Sequence, residues 1–261
     1  MTKKACRDLR KYLPYAFQSA KAKLKAEVAG SYLNWLWLII NPLSFMLIYT
    51  FIFGVVFRAA EPYFPLYVFI GLTMWDFFSH SVINSVSMIK KNRDLLRKIY
   101  IPKFILVLSE LIHNALKMGI SLGVVFFMML LYRIPISVGM LYLIPLLIGM
   151  FLLTFGISNL IMHLGVYIQD LTSVVNIVLR LMFYFTGIFY DIGKRIPVPY
   201  STLLLRINPM ATFLKLARTS LIYGHAEQPE ILCIWFLISA VIAGASIYII
   251  YRSENSYVKV I

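Results

Sequence analysis

Along this chain, charge disappears for long stretches and returns in short bursts. Leu33 to Phe57 and Ile231 to Tyr251 contain no charged residue. Each covers the roughly 20 apolar residues that a helix needs to cross the hydrocarbon core of a bilayer, so both predict transmembrane helices. Four further stretches are apolar apart from isolated ionisable groups. Tyr63 to Met88 holds Asp76 and His80, and Phe104 to Tyr132 holds Glu110, His113 and Lys117. Gly139 to Ile168 holds His163, and Leu171 to Tyr190 holds Arg180. The pattern predicts an all-α integral-membrane fold with six transmembrane helices at 33–57, 63–88, 104–132, 139–168, 171–190 and 231–251. Together they form a single transmembrane domain over residues 1–261.

Two segments fall outside the spans. In the N-terminal segment 1–32, Leu13, Phe17, Ala20, Leu24 and Val28 recur at helical spacing, with Lys21, Lys23 and Lys25 mostly off that stripe. This predicts an amphipathic helix that starts near Pro14 and lies in the membrane interface. A solvated basic tail attracted to anionic lipid is the alternative. Ser201 to Tyr223 is apolar enough to enter the membrane, too short to cross it twice, and interrupted by Asn208 and Pro209. Proline removes a backbone donor and disfavours helix at the residue before it. The expectation for 201–223 is a re-entrant pair of short helices, tolerated where protein or water covers the break. One kinked surface helix is the alternative.

Composition agrees with a membrane protein: 61% of the 261 residues are hydrophobic and 14% charged, against about 45–50% and about 25% in soluble domains. It adds a net charge of +14. Lys and Arg accumulate on the cytoplasmic side of membrane proteins. Residues 1–32 carry eight of them, the connection after the second span six, and the tail Arg252 and Lys259. The opposite side carries seven: Arg58, Arg133, Lys194, Arg195, Arg206, Lys215 and Arg218. A multi-pass protein of the cell membrane with both termini cytoplasmic is therefore expected. The basic excess then serves orientation, and no nucleic-acid partner is expected. Cys6 and Cys233 are too few and too far apart for a disulfide framework. The basic first residues lack a continuous apolar region and a cleavage site, so no removable signal peptide is expected.

Catalytic patterns are missing. A phosphate-binding loop needs GxxxxGK followed by Ser or Thr, and the nearest string, Gly187 to Arg195, has the wrong spacing and Arg after Lys. If ATP is used, another chain binds it. His80, His113, His163 and His225 fall in four segments without metal-ligand spacing, and no GxSxG elbow is present. Catalytic, cofactor and metal residues are all expected to be absent from this chain.

Charges inside spans are costly and become functional candidates. Arg180 could pair with Asp76 or Glu110, or with a phosphate on a passing ligand. Glu110, His113 and Lys117 share one helical face and could snorkel to water. Aromatics concentrate at Trp75, Phe77 and Phe78, and again from Phe183 to Tyr190. Such rings suit packing, interfacial belts, or the apolar faces of sugars.

The string of motifs resembles the membrane subunit of type-2 ABC exporters for polysaccharides and teichoic acids. The resemblance runs from about Lys23 to Gly224. It includes Leu36 and Trp37, then Asn41, Pro42 and Leu43, then Ile48 to Gly54. In the second span it includes Gly71, Trp75 to Phe78, Asn84 and Ser85. It continues through Asp170, Phe183 to Thr186, Tyr190, Ile196 and Pro197, then Asn208, Pro209, Arg218 and Gly224. Three positions depart from it: Glu27, Val28 and Ala29 replace a basic triplet, Gln169 replaces an arginine, and Gly187 replaces a proline. A phosphate role at the first of these is not carried over.

The resemblance implies a permease for a lipid-linked glycan, a polysaccharide or teichoic acid on a prenyl pyrophosphate. It implies a homodimer joined to two copies of a separate ATPase subunit, which would hold the ATP and magnesium. Docking on that ATPase would fall to Lys90, Lys91, Asn92, Arg93, Leu95 and Leu96, with Arg97, Lys98, Tyr100, Pro102 and Lys103 completing the segment. An outer gate would involve Asn208, Pro209 and Arg218. The sugar-facing aromatics would be Trp75, Phe77, Phe78, Tyr184, Phe185, Phe189 and Tyr190. The rival readings are a permease for a small lipophilic compound, a membrane-embedded acyl- or glycosyltransferase, and a passive channel.

Overall fold

A computed structural model describes residues 2–29, 36–58, 61–254 and 257, and every element among them is helical. The expected end of the N-terminal segment at 30–32, the start of the first span at 33–35 and Lys259 lie outside the described residues. The first helix, α1 (Thr2–Val28), precedes a crossing made of α2 (Trp37–Tyr49) and a π-helical continuation, Thr50–Val56. Next come α3 (Phe64–Val86), the short α4 (Met88–Lys91) and α5 (Arg93–Lys98), and then α6 (Lys103–Leu131). A 3-10 turn at Val138–Tyr142 leads into α7 (Leu143–Tyr167). The remaining helices are α8 (Leu171–Phe185), α9 (Ile192–Arg195), α10 (Tyr200–Ile207), α11 (Pro209–Ile222) and α12 (Pro229–Arg252). Five of these helical stretches are long and apolar enough to cross a membrane.

The bundle is built around α3, which packs on α2, α6, α7, α8 and α11. In its most apolar stretch 78% is buried, against 6% in the first crossing and 22% in α12. Those two helices therefore turn most of their apolar surface outward, where only lipid or another chain can cover it. Close helix contacts rest on glycine. A Cβ at Gly165 of α7 would collide with the Val86 carbonyl ending α3, and one at Gly156 would meet Ile242 of α12 at 2.7 Å.

The stretch 171–190 departs from the expected span. Only Leu171–Phe185 is helical, and fifteen residues rise about 22 Å, short of a roughly 30 Å hydrocarbon core. The helix ends because Gly187 takes φ +69°, and the Gly187 and Ile188 carbonyls accept hydrogen bonds from Arg218 on α11 instead of continuing the helical ladder. Residues 186–190 then continue without helix.

The N-terminal helix also departs from expectation, since it begins at Thr2 and runs straight through Pro14. Tertiary contacts hold the part upstream of the proline. Tyr251 donates to Asp8 (2.7 Å), Tyr12 donates to the Tyr100 carbonyl (3.3 Å), and Lys4 lies 5.2 Å over the Tyr251 ring. The expected apolar stripe divides: Ala20 and Leu24 are buried where α1 packs on α6, whereas Leu13 and Phe17 stay exposed, and the side chain of Val28 lies outside the described residues. Lys103 pairs with Glu254 at 3.3 Å, and His163 meets the buried Tyr257 at 2.7 Å. These contacts gather the start of α1, the approach to α6 and the end of α12 at one end of the bundle.

Candidate functional site

At the opposite end, α10 and α11 form two separate helices where re-entrant helices are expected. The joint is Asn208, in extended backbone, whose Oδ1 accepts from the Met210 and Ala211 amides (3.1 and 3.3 Å). With Pro209 at the first helical position, this is an ordinary helix start, where the missing proline N–H costs nothing. Asn208 Nδ2 also donates to Thr186 Oγ1 at 3.2 Å. Arg218, only 4% exposed, donates to the carbonyls of Tyr67 (3.1 Å), Gly187 (2.8 Å) and Ile188 (2.7 Å). Its guanidinium lies 3.6 Å over the Tyr67 ring, and Gly71 leaves room for it. Arg218 and Asn208 thus fasten α3, α11 and the residues after α8 to one another.

The expected sugar-facing aromatics separate into two groups. Phe77 and Phe78 are buried inside the bundle, Phe77 stacked on Phe151 at 6.1 Å. Phe78 packs on Trp75 at 5.7 Å, and Phe77 borders a second cavity described below. Trp75 instead meets Phe183 edge-on (5.6 Å), and Phe183 meets Phe189 (5.3 Å). Tyr49 and Phe53 complete this cluster, 4.4 and 4.6 Å from Phe189. Sequence reasoning missed both, although Phe45, Tyr49, Phe53 and Phe57 recur every four residues on one helical face. Tyr184 and Phe185 are exposed, and Tyr190 donates to the Tyr184 carbonyl at 2.8 Å.

A groove of about 520 Å³ runs between α3 and α8 beside this cluster. Trp75, Ser79, His80 and Ile83 line one wall, and Asn176, Arg180, Phe183 and Tyr184 the other. The expected pairing of Arg180 with Asp76 or Glu110 is not formed: Glu110 is engaged elsewhere, and Asp76 makes no ion pair with Arg180. Asp76 faces a second cavity, of about 240 Å³, shared with Asn41, Thr73 and Lys117. Glu110 accepts from Lys23 of α1 and Asn84 of α3, each at 2.8 Å. One turn on, Glu27 of α1 pairs with Lys117 (2.7 Å) and His113 (3.2 Å). The polar face of α6 is therefore docked on α1 rather than snorkelling.

Comparison with known proteins decides the class. The family model described as ABC-2 type transporter matches residues 18–222. The chain belongs to the ABC-2 type transporter family. It is 30% identical to the O-antigen export system permease protein RfbA of Myxococcus xanthus over 219 residues, 84% of each chain. A relative of the same name from Klebsiella pneumoniae is 30% identical over 227 residues, 86% of this chain and 87% of the relative.

In this ABC-2 type chain the basic connection between α3 and α6 divides into a surface and an anchor. Lys90, Lys91, Arg93, Arg97 and Lys98 are exposed, and Leu95 and Leu96 are half-buried beneath them. Asn92 joins α4 to α5 by donating from Nδ2 to the Met88 carbonyl (2.8 Å). Pro102 and Lys103 are buried, Lys103 by its pair with Glu254, so this lysine anchors the segment and offers no docking charge. Tyr100 is exposed and accepts from Tyr12 of α1, which ties the surface to the N-terminal helix.

Proposed function

We propose that this chain is the transmembrane subunit of an ATP-driven exporter that carries a prenyl-pyrophosphate-linked polysaccharide across the cytoplasmic membrane. It works as a homodimer with two copies of a separate ATPase, which binds the ATP and magnesium. The observation that carries the reading is the groove between α3 and α8, which Trp75, Phe183 and Tyr184 line together with Ser79, His80, Asn176 and Arg180. Flat apolar ring faces cover the apolar side of a sugar, and the side-chain amides and hydroxyls meet its hydroxyl groups. Family membership and the O-antigen export names of the relatives support a glycan cargo. The exposed cations at 90–98 support ATPase docking at the end where α1 and α12 meet, read here as cytoplasmic. On this reading the chain crosses six times, with 171–190 as its fifth crossing.

Inactivating the partner ATPase in cells is expected to leave lipid-linked polymer inside and none newly exposed. Normal surface polymer in that strain contradicts the proposal, as does drug sensitivity with intact surface polymer. Lys90→Glu combined with Lys91→Glu is expected to lower export at least tenfold, with stability changed by no more than about 0.5 kcal/mol because both sites are exposed. Full export by the double variant removes the docking assignment.

A further inference from the structure

The groove holds one group that glycan hydroxyls do not require. Arg180 lies nine residues into α8, about 13 Å of helical rise from Leu171. A guanidinium at such depth demands a partner or a hydrated cavity. Among the described residues no carboxylate lies within ion-pair distance of it: Glu110 is held by Lys23, Glu254 by Lys103, and Asp76 lines a second cavity that adjoins the groove at His80. Asn176 and Tyr184 flank Arg180 one turn before and one turn after, on the same helical face. Ser79 and His80 of α3 line the facing wall. The space of about 520 Å³ falls in the range of small-ligand sites.

We infer that Arg180, flanked by Asn176 and Tyr184 and faced by Ser79 and His80, forms a subsite for an anionic oxygen group, a carboxylate or phosphate, on the transported ligand. A guanidinium offers a planar fork of donors that matches either group bidentately. The Asn176 amide and the Ser79 and Tyr184 hydroxyls add neutral donors around it, and no acid in the groove competes. The inference rests on the exporter reading. The anion has two possible sources: an acidic sugar or phosphodiester within the glycan, or the pyrophosphate of its lipid carrier.

The test is isothermal titration calorimetry on the assembled permease–ATPase complex in lipid nanodiscs. The probes are an oligogalacturonate, a neutral malto-oligosaccharide of equal length, and farnesyl pyrophosphate. The wild type is expected to bind at least one anionic probe tenfold or more tighter than the neutral one. Arg180→Gln abolishes that preference, and Arg180→Lys keeps part of it. Preference for the oligogalacturonate assigns the site to the glycan, and preference for farnesyl pyrophosphate assigns it to the carrier. Asn176→Leu and Tyr184→Phe each reduce the preference, which keeps the test decisive should Arg180→Gln fail to fold. An unchanged preference in Arg180→Gln, or none in the wild type, overturns the subsite. With export still dependent on the partner ATPase, that outcome removes this inference alone; ATPase-independent surface polymer removes the exporter reading instead.

Discussion

Arg218 ties together three segments far apart in sequence, and its partners are main-chain carbonyls. Removing it leaves the buried Gly187 and Ile188 carbonyls without a donor, each worth about 1–3 kcal/mol, and takes from the Tyr67 carbonyl the bond it makes in addition to its helical one. Arg218→Met is accordingly expected to lower stability by roughly 3–5 kcal/mol, and Arg218→Lys by less, because an ammonium cannot span three carbonyls as a guanidinium does. Gly71→Ala places a methyl against the same guanidinium, which should cost about 1–3 kcal/mol. Thermal unfolding in detergent measures all three, and an unchanged midpoint in Arg218→Met contradicts the clamp. Lys194 behaves differently. Its hydrogen bonds to Glu61 (3.0 and 2.8 Å) hold the ammonium above its ordinary pKa of 10.5. A base raised on folding contributes fully below its ordinary pKa and loses that contribution only as pH climbs through the folded value. The pair is 59% exposed on the lysine side, so Lys194→Met should cost no more than about 1 kcal/mol, equally at about pH 6 and about pH 8. The sequence could single out Arg218 as a gate candidate, but it could not show the acceptors, because every residue carries a carbonyl.

At the scale of elements, α1 is bound to the bundle by a ladder of polar contacts: the ion pairs Lys23 to Glu110 and Lys117 to Glu27, and the contact of His113 with Glu27. Local periodicity correctly set Glu110, His113 and Lys117 on one face of α6. It could not supply their partners on α1, which lie 86 to 90 residues away. A double-mutant cycle on Lys23→Met and Glu110→Gln is expected to give a coupling of about 1–2 kcal/mol, and a coupling near zero contradicts the ladder. The end of α8 was equally hidden. Its apolar run continues to Tyr190, while the helix stops at Phe185 because Gly187 and Arg218 together turn the chain, and only one of those two is local in sequence.

For the whole molecule, hydropathy marked five helices long and apolar enough to cross a membrane, but not their arrangement. Lipid tails are as apolar as a protein interior, so the more apolar first crossing became an outward wall while the less apolar α3 became the buried centre. The meeting of α1 with the end of α12, through Asp8 and Tyr251, puts both on one side. Cys6 and Cys233 are exposed, and Cys6 is expected to react with a membrane-impermeant maleimide only from the cytoplasmic face; labelling from outside inverts the orientation. The central claim is tested most directly by reconstituting the permease with its ATPase in inverted vesicles loaded externally with lipid-linked polysaccharide, then adding a glycosidase. The account predicts that polymer becomes protected from the enzyme when ATP is supplied, and stays accessible without ATP or with an inactive ATPase. Protection independent of ATP, or none with it, contradicts the account.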